Sequence, residues 1–186
     1  MNKGEYGYLN RYKKKHILYS LLIGVVMALV IGIGYWINKD IKNIYTVVGI
    51  LFALLLARFL SVYFVTVPMK AMDESTHKEL TEELSHAGSD QFLWDLALSS
   101  TEKVRHFPCV VWSDHLLVAW YEGKEKADVV QKYLTNILKN NCHRTVTAKV
   151  FTDKKSFLKA AKNTNFGVTS EQEWDRIKET ILIYEM

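Results

Sequence analysis

The hydrophobic pattern begins with two long apolar runs. Ile17 to Ile37 carries no formal charge over 21 residues, and Tyr45 to Val67 is interrupted only by Arg58 over 23 residues. A helix rises about 1.5 Å per residue, so each run is long enough to cross ~30 Å of hydrocarbon. Only the short stretch 38–44 separates them. The pattern therefore predicts a transmembrane helical hairpin over residues 17–67.

Two other interpretations compete with the hairpin. A cleavable signal peptide is disfavoured because the first run exceeds the usual ~7–15 apolar residues and lacks a clear small-x-small cleavage site. Two buried helices of a soluble core are disfavoured because the remaining residues are too few to cover so much unbroken apolar surface.

Small residues recur at every fourth position in both predicted spans. Because helices in lipid gain little from hydrophobicity, close backbone approach along such stripes supplies their packing. The predicted helix-packing residues are Ser20, Gly24, Ala28 and Gly32 in the first span, and Gly49, Ala53, Ala57 and Ser61 in the second. An antiparallel hairpin would pair Gly24 with Ala57. The alternatives are that small residues are simply common in membrane helices, or that one stripe serves oligomerisation.

The remainder alternates between helical and strand periodicity. Residues 69–86 predict a charged helix, followed by a half-buried strand with Phe92, Trp94, Leu96 and Leu98 on one face. The runs 107–112 and 115–121 predict a hairpin of buried strands, in which Pro108 indicates a strand start or a bulge. A helix, a fourth strand and two further helices follow, the last with a capping box at Ser170 and Glu173.

These elements predict an α+β protein, in which a transmembrane hairpin precedes a small cytosolic domain of order αβββαβα(α). The expected organisation is a basic cytosolic segment over 1–16, a hairpin over 17–67 with spans 17–37 and 45–67, a juxtamembrane helix over 68–88, and a cytosolic α/β domain over 89–186.

The net charge of +4 is concentrated before the first span. Residues 1–16 carry +4 and residues 17–69 carry +2, whereas residues 70–186 carry −2. Positive flanking segments stay in the cytoplasm, so both termini are expected there, in a multi-pass protein of the cell membrane. Since the predicted folded domain is slightly acidic, no nucleic-acid partner is expected.

Arg58 is the one formal charge inside a predicted span. Its position lies ~10 Å from the cytoplasmic side, so the simplest interpretation is that its side chain snorkels to the interface. A contact with a lipid phosphate or a partner subunit is the alternative. A transporter or channel would need more polar lining than this hairpin offers.

The stretch from Pro108 to Trp120 resembles the central hairpin of the restriction-endonuclease-like fold, including nuclease-related domains on bacterial membrane proteins. The resemblance implies two metal-binding carboxylates and a lysine that orients water. Cys109 stands where the first acid would be, which indicates a degenerate site. The remaining weak catalytic candidates are Asp95, Asp114, Glu122 and Lys124. The whole chain also resembles uncharacterised two-span bacterial membrane proteins with a small cytosolic domain.

Cys109 and Cys142 suit free cytosolic thiols. A zinc site assembled from these cysteines with His106 and His143 would lack the usual ligand spacing, so no metal and no cofactor are expected. The sequence favours a membrane-anchored, non-enzymatic binding or scaffold module that contacts membrane lipid and a protein partner or a second copy of itself. The alternatives are a nuclease-like hydrolase and an accessory subunit of a larger membrane complex.

Overall fold

A computed structural model describes residues 2–86, 91–100, 102–113, 116–141, 146–163 and 171–186. The predicted α+β class and element order are confirmed. The elements are α1 (Tyr8–Asn38), α2 (Ile44–Thr66), α3 (Glu74–His86), β1 (Phe92–Ser99), β2 (Val104–Ser113), β3 (Leu116–Trp120), α4 (Ala127–Asn141), β4 (Thr147–Phe151), α5 (Lys154–Lys162) and α6 (Glu171–Ile183).

The chain forms two compact units. The helical unit is Asn10–Lys70, and the α/β unit combines Met1–Leu9 with Ala71–Met186. The segment that precedes α1 therefore belongs to the same unit as the sheet, although its positive charge had indicated only a cytosolic tail. Helix α3 also belongs to the α/β unit.

Helices α1 and α2 are both long and apolar enough to cross a membrane. Only 11% and 6% of their most apolar windows are buried, which is the opposite of core helices in a soluble protein. Helix α1 begins at Tyr8, nine residues before the apolar run, because no helix breaker separates the basic stretch from it. Asn43 caps α2 by accepting a hydrogen bond from the Thr46 amide at 3.0 Å.

The α/β unit has a four-stranded sheet in the order β1-β2-β3-β4. The first three strands are antiparallel, and β4 runs parallel to β3 after the crossover through α4. Helices α4 and α6 cover one face, where Trp112 and Leu134 are buried. Helices α3 and α5 cover the other, where Leu84 and Phe157 are buried. Burial of both sheet faces explains the apolar runs of β2 and β3.

The alternation expected for β1 holds only up to its middle. Phe92 and Trp94 pack on the α3/α5 face, but Leu96 and Leu98 pack on the α4/α6 face, so placing all four on one face was wrong. The change of face occurs at Asp95, whose φ is +50°.

Strand β2 changes face at the same level. Phe107 and Val110 pack on the α4/α6 face, although residues three apart on a regular strand point to opposite faces. The register places Pro108 opposite Asp95. The irregular stretch contains one residue of each strand, Asp95 in β1 and Pro108 in β2. The pairing register is therefore the same before and after it. Pro108, which has no amide proton to donate, lies inside β2 and not at its start.

Both ends of the chain cover the outer edge of β1. The Trp94 amide donates to the Gly4 carbonyl at 2.9 Å, and the Ser99 amide donates to the Tyr184 carbonyl at 2.8 Å. The Met186 amide donates to the Ala97 carbonyl at 3.2 Å. These bonds occupy backbone groups that an open edge strand would offer to another chain.

Candidate functional site

Asp95 is the centre of a buried polar cluster in the α/β unit. Its side chain has no exposed surface. One carboxylate oxygen accepts a hydrogen bond from the Gly7 amide at 3.1 Å, and the other accepts one from the Met72 amide at 2.9 Å. Gly7 immediately precedes α1, and Met72 follows α2. One carboxylate therefore holds both chain segments that flank the helical unit.

The left-handed backbone at Asp95 gives this carboxylate its position. A positive φ is costly for most L-residues but is tolerated by Asp and Asn. The positive φ interrupts the side-chain alternation of β1. Asp95, which comes directly after Trp94, therefore does not pack on the α4/α6 face. The Pro108 ring opposite it removes a backbone donor that a regular ladder would have to satisfy. The β1 backbone is therefore irregular at the residue whose carboxylate it positions.

Two further buried ionisable side chains belong to the cluster. His106 Nε2 lies 3.9 Å from an Asp95 carboxylate oxygen, which is too long for a hydrogen bond. Glu185 is 4% exposed, and burial raises its pKa to about 7, while the Lys3 charge opposes the rise. Lys3 donates to the Glu185 carbonyl. Among the residues that the structure describes, the His106 ring has no hydrogen-bond partner.

An aromatic stack fixes the N-terminal segment beside the cluster. The ring of Tyr6 stacks on His77 with centroids 4.0 Å apart, and His77 meets the edge of Trp94 at 4.6 Å. Burial lowers the pKa of His77, partly offset by the Asp95 charge. Tyr8 adds a hydrogen bond from its hydroxyl group to the Met186 carbonyl at 3.3 Å. The segment is therefore held by packing as well as by Asp95.

This arrangement is suited to holding chain segments together. Both Asp95 oxygens already accept backbone amides, so the carboxylate is not presented to solvent or to a substrate. Within the described ranges, no group of three or more His, Cys, Asp or Glu side chains is arranged to hold a metal ion. The chemistry that the cluster does support is protonation of Glu185 near neutral pH.

The three catalytic candidates that the structure describes, Asp95, Glu122 and Lys124, are not brought into one accessible cleft. Asp95 is buried, whereas Glu122 and Lys124 are exposed in the segment that follows β3. The Glu122 amide donates to the His106 carbonyl at 3.2 Å, which places its backbone beside β2, but its side chain faces solvent. Asp114 lies outside the described residues.

Of the two cysteines expected to be free thiols, the structure describes Cys109. Cys109 is a free, fully buried cysteine, and burial raises the pKa of its thiol well above the usual range, with a smaller contribution from Asp95. A thiol held neutral in this way is a poor nucleophile and a poor metal ligand. Cys142, His143 and Ser170 lie outside the described residues.

In the helical unit, the contact between α1 and α2 includes Gly49 of the predicted stripes but not Gly24 or Gly32. A methyl group added at Gly49 would come within 2.5 Å of the Ile31 side chain, and one added at Gly34 would meet Tyr45. A methyl group at Gly24 or Gly32 would meet no atom within 4 Å. The expected pairing of Gly24 with Ala57 is therefore not found.

Of the eight predicted helix-packing residues, Ser20 and Gly49 are buried. The others point away from the contact: Gly24 is half-exposed, and the exposed ones are Ala28, Gly32, Ala53, Ala57 and Ser61. Larger side chains also contribute to the contact. The Phe59 ring, for example, lies 5.6 Å from both the His16 and Tyr19 rings.

Arg58 is exposed on α2 next to Phe59. Because the Phe59 ring contacts His16 and Tyr19, Arg58 lies at the level of the first apolar turns of α1. In the described part of the chain, no hydrogen bond or ion pair to its guanidinium group is found.

Sequence reasoning missed the N-terminal segment and Glu185, and it considered His106 only as a disfavoured zinc ligand. One signal was present: Gly4 and Gly7 have φ values of +77° and +75°, and two glycines three residues apart are typical of a tightly folded segment. No comparable local signal marks Glu185, which contacts the N-terminal segment through Lys3 from the other end of the chain.

Comparison with known proteins leaves the chain without a family assignment. No family model, no curated protein and no solved structure matches it. The resemblance to the restriction-endonuclease-like fold consequently has no support from these comparisons, and what the comparisons and the structure together establish is an α+β chain with two apolar helices that could span a membrane.

Proposed function

We propose that this protein is a membrane-anchored, non-enzymatic binding or scaffold module. In this proposal, α1 and α2 span the cell membrane, both termini are cytoplasmic, and the α/β unit binds a protein partner or a second copy of the chain. The observation that supports it best is the use of Asp95. Asp95, the only sheet residue among the catalytic candidates that the structure describes, holds the two segments that flank the proposed membrane hairpin, at Gly7 and Met72.

The charge distribution supports the cytoplasmic orientation. Arg11, Lys13, Lys14 and Lys15 precede the first apolar run, and Lys70 follows the second, whereas only Lys39 and Lys42 lie in the connecting loop. Cationic flanks resist translocation. Two spans return the chain to the side on which it started, so the N-terminal segment and the sheet can share one unit as the structure requires.

A labelling experiment tests the orientation. With Cys142 replaced by Ser and buried Cys109 retained, single cysteines are introduced at Asp40 in the loop and at exposed Glu102 in the α/β unit. A membrane-impermeant maleimide added to intact cells should label the Asp40 position and should label the Glu102 position only after permeabilisation. The reverse pattern would overturn the orientation.

The binding role is tested at the exposed apolar side chains of the α/β unit. Ile183 is 73% exposed at the end of α6, and Val129 is 50% exposed on α4. A photo-crosslinking amino acid at each position, in the full chain and in native membranes, should give a discrete adduct at one of them, with Glu102 as the polar control position. Diffuse or absent adducts at both apolar positions would contradict the binding role.

A further inference from the structure

The end of the helical unit that contains residues 10–19 is strongly cationic. Arg11, Lys13, Lys14, Lys15 and Lys70 lie there, and the unit's only acidic residue, Asp40, is in the connecting loop at its opposite end. Helix α1 includes the basic stretch 11–15, so the side chains of that stretch project from a regular helix and do not belong to a loose tail. Within this unit, no carboxylate is placed to neutralise them.

Lys15 lies beside an aromatic pair at this cationic end, and Arg58 is next in sequence to one member of that pair. The Lys15 ammonium group lies 5.6 Å from the centre of the Tyr19 ring, and the Tyr19 ring contacts Phe59, the neighbour of Arg58, at 5.6 Å. One level of the hairpin therefore contains Lys15, Tyr19 and Arg58. Each helix contributes one cation at this level. Lys13 is not part of this surface because it donates to the Met69 carbonyl.

We propose that Lys15, Tyr19 and Arg58 form a binding site for the head group of an anionic phospholipid in the cytoplasmic leaflet. The site rests on the proposed membrane insertion. An arginine at this depth can raise its guanidinium group towards the phosphate level, where it donates two parallel hydrogen bonds. Lys15 contributes a second positive charge, and the aromatic ring of Tyr19 suits the interface between head groups and acyl chains. The cytoplasmic leaflet supplies the complementary negative charge.

The test uses the full-length protein in a neutral detergent and measures lipid retention by native mass spectrometry. Phosphatidylglycerol and phosphatidylcholine with identical acyl chains are titrated separately. Phosphatidylglycerol should bind more tightly, and Arg58→Gln and Lys15→Gln should each weaken its binding about fivefold, since one basic residue near an anionic surface contributes ~1 kcal/mol. Lys42→Gln, at the opposite end of the hairpin, is the matched control and should leave the affinity unchanged.

Several outcomes would overturn the site. Equal affinity for the two lipids would do so, as would equal weakening by Lys42→Gln and Arg58→Gln, because either result removes the dependence on this surface. Inhibition by inorganic phosphate at equal concentration would indicate a soluble anion as the occupant, and loss of an oligomer in Arg58→Gln without loss of lipid would indicate a protein interface. Failure of the labelling pattern at Asp40 and Glu102 would instead refute the proposed topology, so the two failures are distinguishable.

Discussion

Replacing Asp95 with asparagine should destabilise the α/β unit without changing its backbone geometry. Asparagine has nearly the same volume and tolerates the φ of +50°. It keeps one carbonyl oxygen, but its second polar group is a donor. Either the Gly7 or the Met72 amide must then face an NH₂ group and lose its partner.

The expected loss follows from the bond that is removed. A hydrogen bond to a charged group contributes about 1.5–3 kcal/mol, and a buried amide left unpaired costs a similar amount. We therefore expect Asp95→Asn to lower the free energy of unfolding by ~2 kcal/mol, which corresponds to roughly 6–10 °C in Tm for a domain of this size. Asp95→Ala should cost more, because both bonds are lost and alanine disfavours the left-handed backbone.

Two measurements on the full chain in detergent check this reasoning. Tryptophan fluorescence follows thermal unfolding, since Trp94, Trp112 and Trp120 lie in the sheet. Hydrogen exchange measured by mass spectrometry should show faster exchange in the peptides that contain Gly7 and Met72. The matched control is Asp175→Asn on the exposed surface of α6. If Asp95→Asn and this control had equal Tm values, or if exchange in both flanking segments were unchanged, Asp95 would not hold them.

Three other predictions concern separate parts of the molecule. Gly49→Leu should separate α1 from α2 and lower the Tm of the helical unit in detergent, whereas Gly24→Leu should not, because of these two glycines only Gly49 lies against the opposite helix. Thermal unfolding followed by circular dichroism checks this, and equal Tm values for the two variants would show that the contact is unimportant. Glu185 has a folded pKa of about 7, above the unfolded value of 4.5, so the folded state binds a proton that the unfolded state releases. The free energy of unfolding should therefore fall as pH rises from about 4.5 to 7. Thermal unfolding measured against pH should show this fall, and Glu185→Gln should flatten it. The full chain should not cleave DNA or RNA with Mg²⁺ or Mn²⁺ in a gel assay, and cleavage that disappears in Glu122→Ala would favour the hydrolase alternative.

The sequence was informative where structure depends on periodicity. The two apolar runs predicted α1 and α2, and the change from a period of 3.6 to a period of 2 predicted the order of the α/β unit. The prediction that β1 alternates regularly failed at Asp95, because alternation assumes a regular backbone. The positive φ that interrupts the alternation depends on partners at Gly7 and Met72, which are distant in sequence.

The helix contact shows the same limit in another form. A stripe of small residues indicates that close packing is sterically allowed, but several faces of one helix can meet that condition. Here Gly49 packs on Ile31, and Gly24 remains open, since the aromatic contacts of Phe59 with His16 and Tyr19 also determine the rotation of α2. Pairing by position along the hairpin cannot determine that rotation.

The position of Asp95 links folding of the α/β unit to the topology of the hairpin. The sheet comes entirely from residues after α2, yet its first strand is completed by Gly4, and its buried carboxylate requires the Gly7 amide. In the proposed membrane topology, a chain whose N-terminal segment was translocated would leave that carboxylate buried with one donor missing, at a cost of the same ~2 kcal/mol or more. The edge of β1 beside Gly4 would also stay open to other chains. In that proposed topology, insertion that leaves both termini on one side of the membrane is a condition for a fully formed α/β unit, and not only a means of attaching it to the membrane.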